Sequence, residues 1–392
     1  MKVCGIIAEY DPFHKGHAWQ IEQAKEKSGA DYIVCVMSCS FTQRGMPAFL
    51  SAHDRAEMAL RCGADVVLGM PYAFSVTDAE HFALGGIEIL RKTQAVNALS
   101  FGVEEAGLPY IHAAAALLEQ PTASYTERLK AALDQGVPYP KAQGDALAAE
   151  LHTSADIFSL PNTSLAICYL RAMLRQQADF SVQPVLRRGS YHSDVLPEDA
   201  VQALPSATAV RAAISVGDMP AVRQSLPQPA YDVLVKALSE GRFHAPDALD
   251  MLLRWRLCQA TDFSHLPDLS EGIENRFPAA AKALIRADMV QQIKTKRYPY
   301  ARINRMLAHL LTDTDAKQLN PLPEYAYLLG FRKSAQPLVH AISESELPLL
   351  TRLSSRNMTY MQQLDARAAE LWALGARTAF GHIFRCKPVI LP

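Results

Sequence analysis

From its first residues this chain alternates short, unbroken apolar runs with stretches of helical periodicity, and no other feature restricts its fold as strongly. The runs at 3–8, 31–37, 65–69 and 97–102 have strand length, and helical patterns occupy 16–27, 52–62 and 78–92 between them. Strands that are apolar along their whole length are covered on both faces, as in parallel sheets. Repeated βα units with right-handed crossovers therefore predict an α/β fold on a doubly wound parallel sheet, in which ligands lie beyond the carboxyl ends of the strands.

Farther on, helical patterns at 110–136 and 162–177 lead to a run at 182–186 that returns as one more parallel strand. Ser206 opens an N-capped helix, and 219–319 is almost wholly helical in pattern, with proline-marked breaks. Strand-like runs at 325–331 and 347–353 surround a last helix at 360–374. The reading is a catalytic α/β domain over 1–200, a mostly helical region over 201–322 and a small C-terminal α/β segment over 323–392, an appendage to the rest. A chain of 392 residues can build more than one core without disulfides. Its seven cysteines, an odd number with no C-x-x-C pair, fit free thiols in a reducing compartment. With no signal-peptide pattern and no apolar stretch near the roughly 18 residues of a membrane helix, the chain reads as cytoplasmic. A formal net charge of -1 argues against bulk electrostatic coating of nucleic acid, so any RNA contact must be concentrated.

The first strand runs through Ile7, Ala8, Glu9, Tyr10, Asp11, Pro12 and Phe13 into His14-Lys15-Gly16-His17, where a helix containing Gln20 begins. Two imidazoles and the free N–H groups of a helix N-terminus then surround one small space, an arrangement that favours phosphate. Gly16 permits close approach. Donors fixed where charge develops on departing pyrophosphate lower the barrier to adenylyl transfer without any covalent enzyme intermediate. The segment predicts ATP binding, with His14 and His17 as the donors. A metal pair is the alternative for two histidines at this spacing, but no carboxylate stands at obvious ligand spacing around them. Arg44, in the loop 38–45 after the second strand, belongs to the same rim and suits phosphate or an acyl carboxylate; an exposed loop arginine is the bland alternative. Cys35 and Cys39 read as bystanders and Asp54 as a helix cap. Gly102, after the fourth strand, reads either as a close approach to a base or ribose or as a plain turn.

Six segments, in order, resemble one family. They are Gly5 to His17; Val36-Met37-Ser38 with Gln43-Arg44-Gly45; Leu160-Pro161-Asn162 with Leu165-Ala166; Arg187-Arg188 with Tyr191-His192; Ser206 to Arg211; and Lys296 to Arg302. Together they resemble the bacterial tRNA-Met cytidine acetate ligases. The resemblance implies an HxGH-type nucleotidyltransferase domain that joins acetate to ATP as acetyl-adenylate; phosphate chemistry adds magnesium entering alongside ATP. It implies transfer of the acetyl group to the wobble cytidine of elongator tRNA-Met. It further implies that ATP is held by Ile7 to Gln20, Gly102, Asn162 and an arginine, Arg187 or Arg188. Three positions depart from the family pattern: Cys39-Ser40 stands for a usual Gly-Asn, Lys15 for a common Asn, and Val103 for a small hydroxyl residue. Lys15 remains compatible with phosphate. The mixed anhydride makes acetate open to attack by an amine, so no nucleophilic side chain is required.

The strongest basic signal interleaves cations with aromatics: Lys294, Lys296, Arg297, Tyr298, Tyr300, Arg302 and Arg305. Cations neutralise phosphates while tyrosines stack on unpaired bases, which predicts an RNA-binding segment. The alternative is a solvated helix start with both tyrosines packed inward.

Overall fold

The apolar runs fold as the predicted strands β1 (Val3–Ala8), β2 (Tyr32–Ser38), β3 (Val66–Met70), β4 (Ala98–Val103) and β5 (Ser181–Leu186). The structure, a computed structural model, describes residues 1–187, 204–376 and 378–392. All four pairings among these strands are parallel, in the order β5-β4-β1-β2-β3. Helices α1 (Lys15–Ser28), α2 (Ala52–Arg61) and α3 (Ala79–Lys92) connect the first four strands, and α4 (Pro161–Gln176) leads back to β5. Ile6, Val34, Val36 and Leu68 are fully buried, as strands covered on both faces require. The chain moves outward from β1 first toward β3 and then toward β5. The carboxyl end of β1 is therefore the switch point at which such sheets open a crevice.

Three expectations are corrected. The helical pattern over 110–136 is two helices, Ile111–Glu119 and Ala123–Asp134. Pro121 cannot continue the first, and the Thr122 hydroxyl caps the second by accepting from the Tyr125 N–H at 3.1 Å. The C-terminal segment is not an appendage, because β6 (Ala326–Arg332) pairs antiparallel with β3 and extends the same sheet. β7 (Leu349–Leu350), shorter than the predicted run, and β8 (Val389–Leu391) pair with β6 in turn. An apolar strand gains burial and backbone partners by covering the open edge of β3. Finally, the helices between 207 and 239 pack with the sheet: Val210, Val222, Ala230 and Leu234 belong to its core.

A second core holds the helical region proper. It contains α5 (Asp250–Gln259), α6 (Arg286–Ile293), α7 (Tyr300–Thr312) and one face of α8 (Tyr360–Gly375), joined by Phe41 and Tyr72 from the sheet's rim. Gly45, at the tip of the loop after β2, lies against α7. Its φ is +76°, and an added Cβ would stand 2.5 Å from the Arg305 backbone nitrogen. The buried Arg286 guanidinium ties the contact by donating to Gly45 O and Asn304 O, each at 2.9 Å. Among the described residues no helix is long and apolar enough to cross a membrane.

Candidate active site at the carboxyl ends of the first and fourth strands

His14 caps α1 and is buried, with 4% of its surface exposed. Its Nδ1 accepts from the Gly16 N–H at 3.0 Å, and the Nδ1 of His17 accepts from the His14 N–H at 3.2 Å. Each ring nitrogen that accepts carries no proton, so each neutral imidazole holds its hydrogen on Nε2. The rings stack, with centroids 3.7 Å apart. Burial, reinforced by the nearby Arg187 and Arg211 cations, pushes the His14 pKa down to about 3. Burial and then His14 and Arg187 push His17 well below its ordinary value. At neutral pH the pair is therefore two neutral Nε2–H donors at a helix N-terminus. A side chain at Gly16 would collide with the His14 ring, its Cβ falling 2.8 Å from Cε1. Buried Tyr10 and Phe13 hold the His17 ring from its sides, at centroid distances of 4.8 and 5.5 Å. Lys15 and Gln20 lie half-buried on the first turns of the same helix.

Across the crevice, Arg187 follows β5 directly, and its Nη1 donates to Asn162 Oδ1 at 3.2 Å. Asn162 opens α4. An added Cβ on Gly102, near the end of β4, would meet only the Arg187 stem, at 3.6 Å. That is ordinary contact, so packing alone does not demand glycine there. His14, His17, Gly102, Asn162 and Arg187 are thus brought to one crevice from four separate parts of the chain. Arg188, with Tyr191 and His192, lies outside the described residues.

Arg44 is exposed on the loop after β2. The preceding residue, Gln43, donates its N–H to Glu9 Oε1 at 2.6 Å and its side-chain amide to Thr77 O at 2.7 Å. Burial raises the Glu9 carboxyl above its usual range, Asp11 adding to the rise while Arg44 and Arg55 oppose it. Among the described residues no group of three or more His, Cys, Asp or Glu side chains is placed to hold a metal ion.

The family model described as HIGH nucleotidyl transferase matches residues 1–382. The tRNA(Met) cytidine acetate ligase of Caldicellulosiruptor saccharolyticus is 32% identical over 409 aligned positions, covering 100% of this chain and 99% of that protein. That of Thermosipho melanesiensis is 35% identical, covering 90% and 85%. The crystal structure of Thermotoga maritima TmcAL bound with alpha-thio ATP superposes with a TM-score of 0.89 at 27% identity, covering 100% of both chains. The chain belongs to the tRNA(Met) cytidine acetate ligase family of HIGH nucleotidyl transferases.

Three residues of this acetate-ligase family member to which the sequence reading gave no role in the site, Arg211 of the motif 206–211 among them, organise the crevice. Glu104 receives four hydrogen bonds at the start of α4: from Asn162 N–H at 3.1 Å, Asn162 Nδ2 at 2.6 Å, and the Thr163 N–H and hydroxyl at 2.7 Å each. Burial works against its ionisation, but the Thr163 and Asn162 bonds outweigh burial and hold the carboxyl below its usual range. By taking the Asn162 amide nitrogen, Glu104 turns Oδ1 toward Arg187. Arg55, fully buried, donates from Nε to Leu50 O at 3.1 Å and from Nη1 to Glu9 O at 2.6 Å and Ser38 O at 3.0 Å, and it also reaches Cys39 O. Arg211, in the family motif starting at Ser206, reaches Asp11 O and lies 3.4 Å from its carboxylate. The Asp54 expectation is corrected: Ser51 caps α2 by accepting from the Asp54 N–H at 3.0 Å, while the Asp54 carboxylate takes the Ser51 hydroxyl at 2.6 Å and pairs with Arg242. None of these roles is legible in linear spacing.

The Glu104 contact has a measurable consequence. Glu104→Gln is expected to raise the KM for ATP by about 10-fold, the scale of one charge-assisted hydrogen bond, with a smaller change in kcat. Thr163→Val removes a bond to the same carboxylate without turning Asn162, so it is expected to cost stability alone. Initial rates against ATP concentration check this, and an unchanged KM in Glu104→Gln would remove the role.

The basic segment divides. Tyr298 is 3% exposed and its hydroxyl bonds to Ser270, so it is not a stacking surface. Arg305 is buried and paired with Asp268 at 2.7 Å. Arg302 spends its guanidinium on Asp268 O and the Ser270 hydroxyl, over the Tyr298 ring. These three pin the loop 268–270 to α7. Tyr300 points outward with Lys294 over its ring, and Lys296 and Arg297 are exposed, Arg297 pairing with Glu271 at 2.9 Å. The signal misled because alternation of cations and tyrosines carries no information about which face turns inward.

Proposed function

We propose that this chain activates acetate with ATP and acetylates the exocyclic amine of the wobble cytidine of elongator tRNA-Met; the name of its relatives, tRNA(Met) cytidine acetate ligase, supports the acid, the base and the tRNA. The observation that carries the reading is the pair of neutral Nε2–H imidazoles at the α1 N-terminus, facing Arg187 across the switch-point crevice. An acetate oxygen attacks the α-phosphorus of ATP, the bond to the bridging oxygen breaks, and pyrophosphate leaves as acetyl-adenylate forms. His14, His17, Lys15 and the helix N-terminus meet the charge gathering on pyrophosphate. Residues Ile7 to Gln20, Gly102, Asn162 and Arg187 hold ATP, and Arg44 meets the acetate carboxylate or a phosphate. The cytidine amine then attacks the acetyl carbon, its proton is lost, and AMP departs.

Magnesium enters with ATP and supplies counter-charge to its phosphates. The protein's donor set fits a metal carried in by ATP, since Glu9, Asp11 and Glu104 already accept from Gln43, Phe49 and the α4 N-terminus. Lys294, Lys296 and Tyr300 remain available to RNA phosphates and bases, and Arg297 reaches RNA only by giving up its Glu271 partner. A tRNA substrate places the activity in the cytoplasm.

The test is to incubate the purified chain with ATP, acetate and unfractionated bacterial tRNA, digest to nucleosides, and look for N4-acetylcytidine by mass spectrometry. Its appearance only with both ATP and acetate is expected. Its absence while ATP binds would assign the activated acyl or adenylyl group to another acceptor.

A further inference from the structure

We propose that a second surface, built on α5 and the turn before α6, docks unpaired nucleotides of the RNA acceptor; this rests on the acetylation reading above. Met251 and Trp255 stand four residues apart on one face of α5, with 84% and 54% of their surfaces exposed. Leu284 and Ile285, 68% and 48% exposed, precede α6. Two hydrogen bonds join the elements: Arg254 Nε donates to Ala281 O at 3.1 Å, and the Arg286 N–H to Asp250 Oδ2 at 3.1 Å. Large apolar side chains gathered on a surface mark an interaction site rather than ordinary scatter.

Charge and position identify the occupant. Arg254 and Lys282 flank the apolar residues, are exposed, and have no carboxylate partner among the described residues. In the 294–305 segment, by contrast, Arg297, Arg302 and Arg305 are engaged with Glu271 and the 268–270 loop. Cations without a carboxylate partner beside an exposed tryptophan suit phosphates and a stacked base together. Buried hydrogen bonds also tie the base of this surface to the loop beside the candidate active site. Arg286, whose N–H meets Asp250, donates its guanidinium to Gly45 O at 2.9 Å. Gly45 follows Arg44, and Gln43 before it bonds Glu9 on the crevice rim. Trp255 lies only one helical turn beyond Met251, about 6 Å along α5. On this proposal, nucleotides flanking a wobble base held in the crevice stack on this face.

Two assays on the full chain separate this inference from the reading beneath it. Acetate-dependent ATP–pyrophosphate exchange needs no RNA, whereas acetylation of unfractionated bacterial tRNA does. Trp255→Ala is expected to leave exchange and thermal melting unchanged while lowering kcat/KM for tRNA by about 10- to 100-fold. Trp255→Phe is expected to keep most of the activity. Arg254→Ala with Lys282→Ala is expected to flatten the salt dependence of tRNA affinity. Unchanged kcat/KM for tRNA in Trp255→Ala would overturn the docking surface and leave the ligase reading standing. So would a wild-type oligomer, seen by light scattering, that Trp255→Ala dissociates without loss of tRNA affinity, since a second copy would then cover this face. Failure of the wild-type chain to acetylate any tRNA would instead strike the reading itself.

Discussion

Replacing His14 with asparagine is expected to lower acetate-dependent ATP–pyrophosphate exchange by about 10²- to 10³-fold while the fold survives, the usual effect of losing one fixed donor to developing charge. Asparagine is the informative choice because it still caps a helix, so the Gly16 N–H that now bonds His14 Nδ1 at 3.0 Å keeps a partner. What disappears is the Nε2–H. His17→Gln is expected to cost a similar factor, and the double variant less than the product of the two. The stacked rings at 3.7 Å act on one leaving group, so their effects are not independent. Both imidazoles are neutral well below neutral pH, since burial holds His14 at about 3. The exchange rate of the free enzyme is therefore not expected to follow a histidine titration between pH 6 and 8. Exchange that survives intact in His14→Asn would end the role of this pair.

The second large effect is expected at Arg55. Arg55→Met is expected to destabilise the chain by about 3–5 kcal/mol, the cost of leaving buried polar partners uncompensated. Its guanidinium serves the carbonyls of Glu9, Ser38, Cys39 and Leu50 from a fully buried position. No methionine atom replaces those donors, and the site's two rim loops lose their common tie. Arg55→Lys keeps the charge but not the planar fork, so it is expected to fall between the two. Chemical unfolding of both variants decides the matter: Arg55→Met with wild-type stability would mean that water or a shifted loop satisfies those carbonyls. A stable Arg55→Met with lost exchange activity would shift its importance from the fold to the chemistry.

Much of the molecule was legible in sequence because the relevant physics is local. Four of the parallel strands follow from apolar runs that only a doubly covered sheet can bury, whereas β5 is a half-buried edge strand. The His14-Lys15-Gly16-His17 junction follows from where a strand stops and a helix must cap, and the Ser206 cap, accepting from the Ala209 N–H at 3.0 Å, is equally local. The resemblance pointed to Gly102, Asn162 and either Arg187 or Arg188, although only the fold brings Gly102, Asn162 and Arg187 beside the histidines.

What the tertiary structure alone decided involves pairs distant in the chain. β6 joins β3 because an exposed sheet edge and an apolar strand satisfy each other, and no local pattern states which edge is open. Glu104 turning Asn162 toward Arg187, Arg55 binding the rim carbonyls and Arg286 holding Gly45 are all settled by burial, which makes each unpaired polar group costly. The same burial turned Tyr298 and Arg305 inward and left Met251 and Trp255 outside. Sequence by itself determined the parallel strands and the histidine pair, because these obey periodicity and capping; the strand order with its switch point, and which polar groups meet across the molecule, were decided only when folding excluded water from between them.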